Sequence, residues 1–399
     1  MKFLQTISLI ILCLILFWIL YHTPLMIAGS RNERRRAEKP GILPKISVIV
    51  PARDEGRVIE RCIKSILNQD YPRDQIEVIV VSADDSTAEI CRGFDGIKVI
   101  KEENPRGKPA ALNLGLKFAS GDIIAVFDAD NVLDKDCLLK AAAYFQEGAL
   151  AVQGKTGCLN KNQNILTTLV YLEQEAWQRL LLSGRDRFRL FVPFTGSCLF
   201  IKKELLEELG GWDESSLAED VELSARLLLR NIKVTYANDV VSWQEAPSKL
   251  RTLVKQRVRW YRGYVETSIK YLSLLKRPSS AALDAEIFLL GPIFMALSLL
   301  GYVCWIASII YPISDILLEI LASFLGAVTA FSVTFSLVAF ERSPDLGNIA
   351  LIPLIYVYWM IQSSIAMKSI LDFILRRPKA WRRTEKEGWA SPDVTCRIH

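Results

Sequence analysis

Short β-branched runs alternate with amphipathic stretches through the first third of the chain. Ile46 to Val50 is an apolar run closed by Pro51, which predicts a buried parallel strand. A helical stretch over Arg57–Asn68 follows, then a Tyr71-Pro72 break, a strand over Ile76–Val81, another over Ile97–Lys101, a helix over Pro109–Phe118 and a strand over Ile123–Phe127. Strand and helix in this rhythm predict a doubly wound α/β sheet. The pattern weakens beyond residue 150: a strand near Ala149–Gly154, a helix over Ile165–Leu182, a Phe194–Ser197 turn into a strand over Cys198–Ile201, and a helix from Leu217. Leu250, Val254, Val258, Tyr261, Val265 and Leu272 then recur at helical spacing, with Arg251, Lys255, Arg259 and Arg262 as a basic stripe on another face. A basic amphipathic helix of this kind is expected to lie at a membrane interface.

Four longer apolar blocks interrupt this pattern, over Phe3–Leu20, Ile287–Tyr311, Ile316–Phe340 and Ile349–Met367. Each is long enough to cross a hydrocarbon core of about 30 Å. Hydrophobic residues make up 51% of the chain, with a mean hydropathy of +0.22, and the excess sits in these blocks. The first block could also be read as a secretory signal ending near Ala28-Gly29-Ser30, but its charged start is only Lys2 and an arginine cluster, Arg31 to Arg36, follows at once. By the positive-inside bias that cluster puts the following domain in the cytosol. The expected organisation is a transmembrane helix over 1–30, a cytosolic domain over 31–248, a basic interfacial region over 249–280, about three further membrane helices over 281–375, and a basic tail over 376–399. Three crossings after the domain would leave Arg376, Arg377, Arg382 and Arg383 on the far side, against the same bias, so one block is expected not to cross.

Eight cysteines lie scattered with no CxxC pair, which suggests neither a disulfide framework nor a zinc site. With only two histidines, His22 and His399, acid–base work falls to carboxylates. The net charge of +5 clusters beside apolar blocks, which fits anionic lipid headgroups better than nucleic acid. The dinucleotide glycine fingerprint is absent after the first strand, where Pro51-Ala52-Arg53-Asp54-Glu55 stands, and this disfavours a dehydrogenase.

Acids fall at three strand ends: Asp54-Glu55, Asp84-Asp85 and Asp128 to Asp130. On an extended chain Asp128 and Asp130 point to one face, and paired carboxylates suit Mg²⁺ or Mn²⁺ that also binds substrate phosphates; the same residues also describe a turn with solvated acids. Ser86 and Thr87 could cap the next helix. Arg106-Gly107-Lys108 ahead of a helix could face a diphosphate. Glu219 and Asp220 open a helix, where the dipole pulls a carboxylate pKa down; a general base needs desolvation to push it up. Arg257 and Arg259 offer forked donors for phosphate and Trp260 a flat face for a sugar, although an interfacial helix uses the same residue types.

Seven short motifs in order, Pro51 to Glu55, Asp84 to Thr87, Gly107 to Asn113, Asp128 to Asp130, Thr195-Gly196, Glu219-Asp220 and Gln256 to Trp260, resemble the membrane-embedded family 2 glycosyltransferases, the group of cellulose, chitin, hyaluronan and poly-N-acetylglucosamine synthases. The resemblance spans about Ser47 to Gly263. It implies a GT-A, Rossmann-like nucleotide-sugar-binding domain inserted between transmembrane helices, a UDP-sugar donor, Mg²⁺ or Mn²⁺, a glycan or lipid-linked acceptor and transfer with inversion. By the same resemblance Ala52, Glu55 and Asp84 contact the nucleoside, Lys108 the diphosphate and Asp128 the donor, and Asp130, with Asp128, holds the metal. Asp220, beside Glu219, is the base; Gln256, Arg257 and Arg259 steady the leaving diphosphate; Trp260, with Thr195 and Gly196, meets the acceptor. Two departures stand out: Ala83-Asp84-Asp85-Ser86 where Asp-Asp-Gly-Ser is common, and Ala218 where threonine is frequent ahead of Glu-Asp.

Overall fold

The computed structural model describes residues 2–31, 41, 43–310, 351–379 and 386–389. The predicted strands form as β1 (Ile46–Ala52), β2 (Ile76–Ser82), β3 (Ile97–Lys101) and β4 (Ile123–Val126), interleaved with α2 (Ile59–Leu67), α3 (Asp85–Arg92) and α4 (Lys108–Phe118), after the N-terminal helix α1 (Lys2–Ser30). There follow β5 (Val132–Leu133), α5 (Cys137–Gln146), β6 (Ala151–Cys158), α6 (Ile165–Glu175), a π-helical segment Ala176–Leu182, α7 (Ser183–Arg187), β7 (Leu199–Lys202), α8 (Lys203–Glu208), α9 (Glu219–Leu229) and β8 (Thr235–Gln244). The remaining described helices are α10 (Leu250–Lys270), α11 (Ser280–Leu289), α12 (Gly291–Ile310) and α13 (Ile352–Ile374).

These strands make one eight-stranded sheet in the order β3-β2-β1-β4-β7-β6-β8-β5. Pairing is parallel from β3 to β4, as the alternation predicts. The doubly wound expectation stops there, because β7 runs antiparallel to both β4 and β6, and β5 antiparallel to β8, so the sheet is mixed. At the β6–β8 pair the register shifts between Gly154 and Lys155. A side chain at Gly154 would put its Cβ 2.5 Å from Cys198 Sγ and 2.7 Å from the Val240 carbonyl, so only glycine lets three strands close up there.

Both sheet faces are covered, which explains the near-continuous apolar runs. From β1, Ile46, Val48 and Val50 face Ile59, Ile63 and Ile66 of α2 and Tyr144 of α5. Ile49 faces the opposite layer, with Leu112 and Leu116 of α4 and Leu223 and Leu227 of α9. At the centre Phe200 of β7 meets Phe127 edge to face, ring centroids 5.7 Å apart.

The helices flanking the sheet domain are bound to it. Where α1 passes the π-helical segment, an added Cβ at Gly29 would lie 2.0 Å from the Leu180 carbonyl oxygen, and one at Gly184 would lie 2.1 Å from that of Leu25. Backbone meets backbone at this crossing. Nearby, fully buried Arg185 donates from Nε to both oxygens of Asp284 on α11 at 3.2 Å, and Tyr21 of α1 also donates to Asp284. Among the described residues α13 carries one segment, Pro353–Ile374, long and apolar enough to cross a membrane, while Ser280–Leu289 and Gly291–Leu300 meet that test only together, bent by 50°. The expected span over Ile316–Phe340 lies outside the described residues.

Phe200 is fully buried between sheet and helix layers. Phe200→Ala is expected to destabilise the protein by about 3–5 kcal/mol, read as a lowered midpoint in chemical denaturation of the purified chain.

Candidate active site

The site assembles where strands end. Ala52 closes β1, and its carbonyl accepts the N–H of Ala83 at 2.9 Å, holding the first two strand ends together. Asp84 itself caps α3: its carboxylate accepts from Thr87 N–H at 2.8 Å and Asp54 N–H at 2.5 Å, so the capping role expected of Ser86 and Thr87 belongs to the aspartate. These bonds outweigh its partial burial and hold the carboxyl below the usual range. The Glu55 N–H donates to Thr87 Oγ1 at 3.1 Å. Beside these turns lies a cleft of about 430 Å³ lined by Asp54, Arg57, Ser86, Thr252 and Lys386.

Gly107 at φ +112 turns the chain into α4 and aims Lys108 inward. The Lys108 ammonium sits 2.6 Å from Asp128 Oδ1, 2.6 Å from the Gly196 carbonyl and 3.9 Å from Glu219 Oε1. Burial opposes its charge, yet Asp128, Glu219 and Asp220 outweigh that and hold its pKa above the ordinary lysine value. Gly196 has φ +84, where a side chain is strained, and a Cβ there would stand a tight 3.2 Å from Asp220 Oδ2, so both count in favour of glycine. Its turn is pinned by Gln153, whose side chain accepts from Thr195 N–H at 2.9 Å and donates to the Ser197 carbonyl at 2.9 Å. Ser197 Oγ in turn donates to Asn131 Oδ1 at 2.7 Å and accepts the Asp128 N–H at 3.1 Å.

Glu219 and Asp220 open α9 against this lysine. The two influences weighed from sequence are resolved in favour of desolvation: burial, reinforced by the neighbouring Glu219 charge, pushes the Asp220 carboxyl up to about 7, despite Lys108, Val221 N–H and Arg259. α10 packs directly onto this turn. An added Cβ at Gly263 would lie 2.6 Å from Ala218 Cβ and 2.9 Å from Ala218 N, so the alanine in place of a threonine fits a crowded contact. Arg259 Nη1 donates to the Leu217 carbonyl at 2.9 Å. Arg257 turns elsewhere, to Glu173 at 2.6 Å, and its guanidinium carbon lies 4.4 Å from the centroid of Trp260. Glu173 also accepts from Tyr358 of α13 at 2.6 Å. Along the basic stripe of α10, Arg251 is exposed and Lys255 half-buried, whereas Arg259 is tied to the Leu217 carbonyl and Arg262 is buried on Glu266 at 2.9 Å. Gln256 is half-buried on the same helix.

Asp128 and Asp130 do not keep the extended same-face geometry. β4 ends at Val126, and Asn131 N–H closes a turn onto the Asp128 carbonyl at 3.0 Å. Each carboxylate holds its own ammonium: Lys108 on Asp128 and Lys386 on Asp130, both at 2.6 Å. Asp130 also accepts the Glu245 N–H at 2.9 Å. Among the described residues no cluster of three or more His, Cys, Asp or Glu could hold a metal by itself. Carboxylate oxygens are the donors that Mg²⁺ or Mn²⁺ takes alongside substrate phosphates and water, and at Asp128 and Asp130 each pair of them carries a lysine ammonium. Lys386, Glu245, Gln153 and Glu173 carried no sequence motif.

A family model described as glycosyltransferase like family 2 matches residues 44–263, more than half of the 399-residue chain. The chain belongs to that family. It is 33% identical over 67% of its length to a probable glycosyltransferase of Bacillus subtilis, YdaM, spanning 68% of that protein. It is 29% identical to the beta-monoglucosyldiacylglycerol synthase of Trichormus variabilis, over 77% of this chain and 66% of that one. It is 26% identical to the poly-beta-1,6-N-acetyl-D-glucosamine synthase of Staphylococcus epidermidis, over 87% of each. In fold it is similar to the mannosyltransferase PcManGT of Pyrobaculum calidifontis, solved with GDP-Man and Mn²⁺, with a TM-score of 0.64 at 20% identity over 94% of this chain and 100% of that one. The mixed sheet with both faces covered is thus a GT-A-like α/β fold in a family 2 glycosyltransferase.

Gly263 gives the sharpest test of this geometry. Gly263→Ala is expected to lower glycosyl transfer at least tenfold, by lifting α10 from Ala218, while the circular dichroism spectrum is unchanged.

Proposed function

We propose that this glycosyltransferase moves a sugar from a UDP-sugar onto the hydroxyl of a growing β-linked glycan, inverting the anomeric carbon. The observation that carries this reading is Asp220: a carboxyl pushed up to about 7, inside a charge cluster with Lys108, Asp128 and Arg259. A group at that value is ionised enough to accept a proton near neutrality and basic enough to drive its transfer. Asp220 takes the acceptor proton as the acceptor oxygen attacks the anomeric carbon from the face opposite the diphosphate. Arg259 and Lys108 lie beside the acids and offset the charge that grows on the leaving group. Trp260, braced by the Arg257 guanidinium, offers the acceptor ring a flat surface. Ala52, Glu55 and Asp84 flank the cleft that takes the nucleoside. Bound at Asp130 and Asp128, Mg²⁺ or Mn²⁺ supplies Lewis-acid neutralisation of the diphosphate. Such a cation with a nucleotide-diphosphate sugar is also what the archaeal mannosyltransferase of the same fold holds.

The relative named as a poly-N-acetylglucosamine synthase supports a polysaccharide product, and the monoglucosyldiacylglycerol synthase supports a second reading, transfer of one sugar to a lipid acceptor. We place the catalytic domain on the cytosolic side, anchored by α13 and the α11–α12 pair. Lys386 on Asp130 and Lys379 on Glu266, at 2.6 and 2.8 Å, put the chain after α13 on the catalytic side, which supports an even number of crossings between α10 and residue 379.

Purified protein supplied with a panel of nucleotide sugars and Mn²⁺ tests the activity through release of nucleoside diphosphate, and product length on a gel separates chain growth from single transfer. Asp220→Asn is expected to cut kcat by roughly 10³; transfer at the wild-type rate would remove the assigned base. Since the ionised form is the active one, the rate should climb as pH rises, pass its half-maximum at about 7 and level off above about 8. Glu219→Gln removes the like charge beside Asp220 and should move that midpoint to lower pH.

A further inference from the structure

The carboxylate of Asp130 is 3% exposed, and the cation it holds comes from the far end of the chain. Lys386 Nζ reaches Asp130 Oδ2 at 2.6 Å and also donates to the Glu245 carbonyl at 2.9 Å. The residues that follow are fixed by one anion. The N–H groups of Glu387, Gly388 and Trp389 converge on the Glu245 carboxylate at 3.1, 3.2 and 3.0 Å. Its Oε1 also receives Arg61 Nη2 at 2.6 Å, in a pair whose side chains are 3% and 2% exposed. Gly388 turns the chain at φ +68, where a Cβ would lie 3.3 Å from the Arg57 carbonyl. Main-chain donors on a buried carboxylate are strong, directional contacts. They specify where this segment sits, and its position delivers a positive charge to Asp130.

A divalent ion needs the same oxygens. Mg²⁺ binds carboxylate oxygen at about 2.0–2.1 Å and demands near-octahedral geometry, which an ammonium on the same carboxylate denies it through repulsion and bulk. Lys386 also lines the cleft of about 430 Å³ beside Asp54 and Arg57, so its side chain, once off Asp130, has space to turn into.

We propose that Lys386 is a tethered cation that competes with the divalent ion for Asp130 and exchanges with it, with Glu245 as the dock that presents it. This rests on reading Asp130 as a metal ligand and goes beyond it, because it assigns the segment 386–389 to the catalytic site. The exchange makes metal binding conditional on displacing part of the chain.

Mn²⁺ alone is the probe, titrated into the full-length chain in detergent and followed by the electron paramagnetic resonance signal of the free ion. Lys386→Gln is expected to bind Mn²⁺ about tenfold more tightly than wild type, and Asp130→Asn to lose binding. Equal affinity in wild type and Lys386→Gln, with Asp130→Asn still deficient, overturns the exchange while leaving the metal assignment intact. Absence of binding in both wild type and Lys386→Gln overturns both. A second measurement needs no variant: acetylation of Lys386 by an amine-reactive ester, quantified by mass spectrometry, should rise several-fold at saturating Mn²⁺, and unchanged labelling also defeats the proposal.

Discussion

One buried ammonium makes the rest of this site possible. Asp128, Glu219 and Asp220 come from two separate segments and could not share a partly dry pocket as bare like charges, and Lys108 sits among them with two contacts at 2.6 Å. Removing such a cation would leave the buried Glu219 and its acidic neighbours uncompensated. The supporting structure can be understood as a set of devices that bring groups to that nitrogen. Gly107 aims the lysine, the left-handed Gly196 clears space for Asp220, Gln153 fixes the turn around Gly196, and Gly263 lets α10 press against the catalytic turn. Compensation of Asp220 is incomplete in this arrangement, and burial with the Glu219 charge beside it leaves its carboxyl up at about 7.

Local pattern made much of this legible. The strands from Ile46 to Val126 and their helices followed from β-branched runs punctuated by proline and glycine, because both sheet faces are buried and each run is apolar throughout. The acids and Lys108 stood out because they fall at strand and helix ends, where side chains are free of packing duties. Sheet direction was not legible beyond β4, since an antiparallel β7 buried on both faces has the same composition as a parallel one. The same-face geometry of Asp128 and Asp130 failed because it assumed an extended chain through a turn. Helical spacing along α10 names a face without naming what covers it: Glu266 and the Leu217 carbonyl hold Arg262 and Arg259, while Arg251 on the same stripe stays exposed. Glu245 was within reach, being an acid just after a strand like Asp84. Lys386 was not, because a pairing across such sequence separation leaves no periodicity to read.

A second carboxylate organises the surroundings of Trp260. Glu173 on α6 gathers Arg257 of α10 and Tyr358 of α13, and Gln362, one turn further along α13, donates to the Tyr358 hydroxyl at 2.8 Å while accepting from Tyr261 at 3.0 Å. Helices from three parts of the chain are thereby locked by hydrogen bonds where apolar packing alone would allow rotation. Arg257 thus braces the Trp260 ring from a network that also fixes α13, so α10 and α13 share one orientation.

Where α1 crosses the π-helical segment and α7, each close approach sets a glycine against a leucine carbonyl, Gly29 against Leu180 and Gly184 against Leu25. A larger residue at either glycine would have to push two backbones apart, so the seating of the N-terminal helix on the sheet domain is decided by two positions that carry no side chain of their own.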